Sequence, residues 1–189
     1  MLLSCVASML AARAHVEATG RAVPPWQIGD HGRAILGPVP GIRMETTIDA
    51  PPAAVWRRLA DVGDHVTWMA DAAEIRFTGD RRSGVGTVFE CETRLGPLHT
   101  TDVMEITEWR DAAAMGVRHT GLFTGTGRFT LSPAGEGATV LSWEEDLTFP
   151  WWLGGPIGAW VARPILRWVW RGNLRRFSTL VTATDPDPA

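Results

Sequence analysis

The stretch FPWWLGGPIGAWVARPILRWVWRGNLRRF, residues 149–177, combines five tryptophans and five arginines and has no acidic residue. Its arginines recur every four residues from Arg163 to Arg175, so they share one side of a helix, as in a solvated face. The spacing predicts a helix over Pro156–Val181, about 39 Å long, that covers the apolar face of a sheet. The arc expected to face that sheet holds Ile157, Trp160, Val161, Ile165, Trp168, Val169 and Phe177, with Leu166 and Trp170 at its flank.

The same stretch excludes two classes of function. Its uncharged part, residues 147–162, is interrupted by Gly154-Gly155-Pro156 and is shorter than the roughly 20 apolar residues that span a bilayer. The net charge of −3 and the absence of a nucleic-acid motif argue against nucleic-acid binding. Besides a solvated face, two interpretations of the arginines stay open: transient contact with an anionic membrane surface, and a protein-interaction surface.

Composition indicates one soluble domain with an appendage. The chain has 189 residues, of which 45% are hydrophobic, and only two cysteines, which favours a reducing compartment such as the cytoplasm. Residues 1–40 are predicted to be an N-terminal extension or linker, residues 41–182 the folded domain, and residues 183–189 a polar tail. Within the extension, MLLSCVASMLAARA has no Lys or Arg before its apolar run, so a short amphipathic helix is favoured over a signal peptide.

Alternation of apolar and polar residues organises the rest of the chain. IRMETTID predicts a half-buried strand, and APPAAVWRRLADV and GDHVTWMA predict two short helices. Strand patterns separated by turn signals such as Gly96-Pro97 follow, which is typical of an antiparallel meander. The order is therefore one strand, two short helices, about six more strands and one long helix.

These motifs carry a family resemblance. TTIDAPPAAVWRRLADVGDHVTWMAD, GVGTVFECETR, DVMEITEW and the aromatic, basic last helix resemble the START-related superfamily, whose bacterial branch includes polyketide cyclase/dehydrase-like and lipid-transport proteins. The resemblance covers about residues 42–182. It implies an α+β helix-grip fold, in which a curved seven-stranded antiparallel sheet wraps around a long C-terminal helix with a hydrophobic cavity between them.

Strand parity predicts which side chains face that cavity. Because alternate residues share a face, three ionisable residues are expected on the apolar inner side: Asp102, His119 and Glu145. A carboxylate there must be paired, hydrogen-bonded or raised in pKa. His119 could then act as a general acid or base oriented by a carboxylate. The favoured interpretation of the same residues is a buried structural network, or a bulge that turns one of them outward; orientation of a ligand without chemistry is the third.

The leading hypothesis is a domain that binds a hydrophobic small molecule, such as a lipid, an isoprenoid or a polyketide-like aromatic. An aromatase/cyclase-type enzyme using His119 with Asp102 or Glu145 is the alternative. No cofactor or metal is predicted, and the sequence does not indicate an oligomeric state. The side chains predicted to contact the ligand are Trp68, Phe77, Phe89, Met104, Met115, Trp143, Trp160, Ile165 and Trp168.

Cys91 and the other histidines are not expected to take part in function. Cys91 lies on an inner strand face and is predicted to be a small apolar residue rather than a nucleophile. The other histidines are predicted to lie at the surface or in the linker: His15, His31, His65 and His99.

Overall fold

The structure is a computed structural model that describes residues 41–184. Within these residues, seven antiparallel strands form one sheet. The strands are β1 (Ile42–Ile48), β2 (Ala72–Phe77), β3 (Val88–Leu95), β4 (Leu98–Arg110), β5 (Ala114–Thr120), β6 (Thr124–Pro133) and β7 (Thr139–Thr148). The helices are α1 (Pro52–Leu59) and α2 (Gly155–Thr184), with 3-10 turns at Val62–Thr67 and Trp151–Leu153.

The strand order is β1-β7-β6-β5-β4-β3-β2, so the first two strands lie at opposite edges of the sheet. The two short helical elements carry the chain between those edges, and hairpins connect all later strands. The long helix α2 packs mainly against β1 and β7. This arrangement confirms the predicted helix-grip fold.

Aromatic side chains fill the space between the sheet and the C-terminal part of α2. Trp68 lies 4.8 Å from Phe177 between ring centroids, and Trp143 stacks on Trp170 at 5.2 Å. Phe129 packs 5.0 Å from Trp143 and completes the cluster. Each large aromatic ring buries about 150–250 Å², so these rings supply much of the core.

The helix contacts the sheet with a different face from the one predicted. The sheet-facing orientation expected for Trp160, Ile165 and Trp168 is wrong, because these side chains are 67%, 48% and 77% exposed. Ile157 and Val161 are exposed as well. The buried residues of α2 include Ala159, Val169, Trp170, Asn173, Leu174, Phe177 and Val181.

Polar contacts explain this rotation of the helix. Asn173 is fully buried; its Oδ1 accepts from the Ala70 amide at 3.1 Å and its Nδ2 donates to Asp71 at 2.7 Å. Arg176 Nε donates to the Trp68 carbonyl at 2.9 Å. Two polar residues therefore bond to the domain, and the rotation that buries Asn173 turns Trp160 and Trp168 outward. The sequence analysis had assigned the polar arc of this helix to solvent.

Three arginines of the predicted solvated stripe, Arg167, Arg171 and Arg175, lie exposed. The fourth, Arg163, is half-buried and its Nη2 donates to the Gly41 carbonyl at 3.2 Å. No helix within residues 41–184 is both long and apolar enough to cross a bilayer.

The predicted extension (residues 1–40), including His15 and His31, lies outside the described residues, as does most of the predicted tail. The domain bounds stay predictions.

Candidate functional site

A histidine and a glutamate meet on the inner face of the sheet. His119 Nε2 lies 3.3 Å from Glu145 Oε2, and both side chains are largely buried. The two atoms are at ion-pair distance but are not aligned as a hydrogen bond, so neither has a hydrogen-bonding partner within residues 41–184. The other carboxylate oxygen of Glu145 accepts from Trp143 Nε1 at 2.8 Å, which fixes the carboxylate in place.

A glycine on the intervening strand makes this meeting possible. His119 is on β5 and Glu145 on β7, so β6 lies between them and the two strands are about 9.5 Å apart. On β6, Gly125 pairs with His119, and Gly127 pairs with Glu145. A Cβ at Gly127 would stand 2.4 Å from Glu145 Oε1. The Glu145 carboxylate therefore occupies the space that a side chain on β6 would take.

The environment of His119 favours its protonated form. Burial lowers the pKa of His119, but contact with Glu145 and the charges of Glu145 and Asp102 outweigh burial and raise the pKa above the ordinary 6.5. The raised pKa favours the protonated ring, which has a carboxylate next to it. The ring is therefore able to donate a proton or to hold a polar ligand group.

Asp102, the third predicted group, has a more structural position. Its Oδ1 accepts from the Leu122 amide at 2.5 Å, and a Cβ at Gly121 would come within 2.1 Å of the same oxygen. Burial raises the pKa of Asp102, while the amides of Leu122 and Phe123 and the charge of His119 oppose that rise. Asp102 thus secures the β5–β6 turn, and it influences His119 through charge rather than through a hydrogen bond.

Glu145 also borders a small void between the sheet and α2. The void has a volume of about 20 Å³, enough for about one water molecule. Ligand pockets usually enclose about 300–1,000 Å³, so the space here is far smaller than the expected cavity. The walls are formed by Gly41, Ile42, Glu145, Leu147, Phe149, Ala159, Arg163, Leu166 and Trp170.

The predicted ligand-contacting residues fall into three groups. Phe89 and Met104 share the inner-face row of His119 by strand pairing, and Phe77 adjoins Phe89 at 5.9 Å between ring centroids. Three others lie in the core: Trp68, Met115 and Trp143. The helix residues Trp160, Ile165 and Trp168 lie on the exposed side of α2. Contact with a ligand stays a prediction for all nine.

Sequence reasoning missed Gly125, Gly127 and the void-lining Leu166. The signal was present, since a glycine inside a strand often marks a place where another group approaches closely. The Trp68 indole Nε1 is buried and has no hydrogen-bonding partner within the described residues, which marks a second unmet donor in the interior.

The remaining candidates give one agreement and one correction. Burial raises the pKa of the Cys91 thiol to about 11, which keeps it an unreactive, small apolar group, as predicted. The surface position expected for His65 is wrong: His65 is buried and its Nε2 bonds to the Leu59 carbonyl at 2.8 Å. Within residues 41–184, no cluster of His, Cys, Asp and Glu side chains is arranged to hold a metal ion.

Solved structures with the same fold include proteins of several kinds. TTHA0849 from Thermus thermophilus is 22% identical with a TM-score of 0.59, over 78% of this chain and 100% of that one. The Zhui aromatase/cyclase from Streptomyces sp. R1128 is 13% identical with a TM-score of 0.60, over 75% and 92% of the two chains. The di-domain ARO/CYC StfQ from the steffimycin biosynthetic pathway is 14% identical with a TM-score of 0.64, over 76% and 51%. These likenesses establish the fold.

No curated protein sequence matches the chain significantly. A family model, in contrast, matches residues 40–181, which include nearly the whole described domain. The chain therefore belongs to the family described as polyketide cyclase / dehydrase and lipid transport.

Proposed function

We propose that the domain binds a hydrophobic small molecule with one polar group, between the inner face of the sheet and the first half of α2, Gly155–Trp168. The observation that carries this proposal is the buried His119–Glu145 pair, whose facing atoms lack hydrogen-bonding partners among the described residues. A buried polar atom without a partner costs about 1–3 kcal/mol. A ligand hydroxyl or carbonyl that bonds to this pair would remove that cost.

The surroundings of the pair suit a ligand with an apolar body. Leu147 and Phe149 line the void beside Glu145, and Met104 neighbours His119 across the sheet. Such a ligand would be a lipid, an isoprenoid or a polyketide-like aromatic. The family description, which names polyketide enzymes together with lipid transport, supports ligands of this class.

The volume of the void requires a movement on binding. Since about 20 Å³ admits only one water molecule, the first half of α2 must move away from the sheet to admit a larger molecule. This half is weakly held: Ala159 is buried, Leu166 is half-buried, and Arg163 adds one hydrogen bond to Gly41. We therefore expect it to be the entrance to the site.

The test uses N-phenyl-1-naphthylamine, a neutral apolar dye that fluoresces in dry pockets, with the full chain. We expect saturable binding to one site. Ala159→Leu adds bulk at the void and should weaken binding at least tenfold. Ala162→Leu makes a similar change at a half-buried position that does not line the void, and should bind as wild type.

Glu145→Gln, tested with native mass spectrometry of the purified protein, addresses the polar anchor. The wild type should retain an apolar molecule from the expression host, and the variant should lose it. Dye binding that is equal in the Ala159→Leu and wild-type proteins, together with no retained molecule, would refute the proposal.

A second candidate is acid/base catalysis, favoured by the raised pKa of His119 and its contact with Glu145. In a β-hydroxy ketone, a base removes the proton beside the carbonyl and an acid protonates the departing hydroxyl, which leaves as water. His119→Gln should abolish dehydration of a β-hydroxy ketone, whereas Cys91→Ala should keep it. Equal rates for the wild-type and His119→Gln proteins would exclude this role.

A further inference from the structure

The outward side of α2 carries an unusual apolar surface. We call it the tryptophan face, defined by Ile157, Trp160, Val161, Ile165 and Trp168. Successive 100° rotations place these residues within an arc of about 140°, and all of them are exposed. The turn just before the helix adds two more exposed tryptophans, Trp151 and Trp152. Exposed apolar side chains in this number on one helix face mark an interaction surface.

The charge around this face has one sign. Arg171 and Arg175 continue the same arc toward the C-terminus, and Arg167 lies at its edge. Residues 147–184 include no acidic residue, although the whole chain has a net charge of −3. No carboxylate within residues 41–184 pairs with any of these three arginines. The positive charge is therefore available to an anionic partner.

The chemistry of the surface favours a lipid bilayer over a second copy of the chain. Tryptophan prefers the boundary between hydrocarbon and head groups, where its ring is apolar and its N–H is solvated. Arginine next to such a face binds lipid phosphates. In a symmetric dimer the same face would meet itself and bring like-charged arginines together, with no carboxylate on the segment to pair them.

We propose that the tryptophan face docks on an anionic lipid bilayer. The helix lies along the membrane surface, Trp160 and Trp168 sit at the level of the head groups, and Arg167, Arg171 and Arg175 contact phosphates. Helices with an apolar face and flanking basic residues bind membranes in this way, about 5–10 Å deep. This proposal does not depend on ligand binding, since it concerns the side of α2 that faces away from Glu145.

The test is flotation of the full chain with vesicles of phosphatidylcholine, with and without 30% phosphatidylserine. The wild type should float with the phosphatidylserine vesicles. The double variant Trp160→Ser/Trp168→Ser should bind at least tenfold more weakly. Its control, Val85→Ser/Val103→Ser, removes two exposed apolar side chains elsewhere and should bind as wild type.

Charge is tested in the same assay. Arg171→Ala/Arg175→Ala should weaken binding to anionic vesicles roughly 25-fold, at about fivefold for each arginine. Arg81→Ala/Arg110→Ala, which makes the same change in net charge at exposed sites off the helix, should have little effect. Circular dichroism verifies that each variant is folded.

Three results would overturn the proposal. The first is a wild type that does not float with phosphatidylserine vesicles. The second is equal flotation of the wild type and the Trp160→Ser/Trp168→Ser variant. The third is a wild type that does not bind vesicles but forms a dimer in light scattering, where the Trp160→Ser/Trp168→Ser variant is a monomer. A second copy of the chain would then cover the tryptophan face.

Discussion

The two halves of helix α2 both contain tryptophan and arginine but differ in their contacts. In the first half, Gly155–Trp168, the large side chains of Trp160 and Trp168 are in solvent. In the second half, Val169–Thr184, Trp170 and Phe177 are buried against the sheet. Tryptophan content therefore does not identify the core-facing part of this helix; the rotation of the helix does.

The two halves also differ in how firmly they are attached to the domain. The second half is joined to the domain by aromatic packing and by the hydrogen bonds of Asn173 and Arg176. The first half covers Glu145 and the void with few buried side chains. Segments with few buried contacts open at low free-energy cost. We infer that the second half holds the fold together, whereas the first half forms one wall of the void beside Glu145.

The strongest test of the comparison is one truncation in each half. Phe177→Ala should lower the free energy of unfolding by about 3–5 kcal/mol, because the ring is fully buried against Trp68. Trp168→Ala should change it by no more than about 0.5 kcal/mol, because that side chain is 77% exposed. Urea denaturation measures both values. Comparable losses would show that the halves are equally important to the fold.

Asn173→Leu tests how much the polar contacts of the second half contribute to stability. The substitution leaves the Ala70 amide and the Asp71 carboxylate without their helix partner, so we expect a loss of about 2–3 kcal/mol. Thr179→Val is the control, since its exposed hydroxyl bonds only to the Arg175 carbonyl of its own helix. If Asn173→Leu stabilises the protein, apolar packing rather than hydrogen bonding sets the rotation of α2.

The sheet was predictable because its strands follow a simple rule. Period-two alternation placed Asp102, His119 and Glu145 on the inner face, and the structure finds all three there, largely buried. Alternation predicts the face of the sheet on which a side chain lies, but not which side chains it contacts. That His119 and Glu145 touch across β6 depends on Gly127, where a side chain would take the place of the Glu145 carboxylate.

The helix was harder to predict because both of its arcs are apolar in the first half. The repeat Arg163–Arg167–Arg171–Arg175 suggested that the opposite arc was buried. A competing four-residue repeat, Val169–Asn173–Phe177–Val181, marks the true buried line, but it includes a polar residue. A buried asparagine whose partners are a distant amide and a distant carboxylate is not visible in the pattern of one helix.

Two buried or largely buried histidines respond to pH in opposite directions. His65 packs on Trp68 at 4.9 Å between ring centroids; burial lowers its pKa to about 4, against opposing effects of the Leu59 carbonyl and nearby acids. Its contribution to stability is complete above pH 6.5 and is lost as the pH falls toward 4. The raised pKa of His119 has the opposite effect: its contribution is complete below pH 6.5 and is lost as the pH rises through the folded value.

NMR titration of the ring protons should therefore show His65 neutral until about pH 4 and His119 still charged above pH 6.5. In Glu145→Gln, the pKa of His119 should fall, because burial is then opposed only by Asp102. An unchanged His119 titration in this variant would mean that Glu145 does not stabilise the charged ring.

The smallest expected effect concerns the contact between the Glu145 carboxylate and strand β6. In Gly127→Ala, the added Cβ would stand 2.4 Å from Glu145 Oε1, so the carboxylate must move. The neighbour is the end of a side chain, so the cost in stability should be only ~1 kcal/mol. The pKa of His119 should nevertheless fall. Gly79→Ala, whose Cβ would meet open space, should leave it unchanged. An unchanged His119 pKa in Gly127→Ala as well would mean that the carboxylate keeps its contact by another route, and that the space at Gly127 is not what brings the pair together.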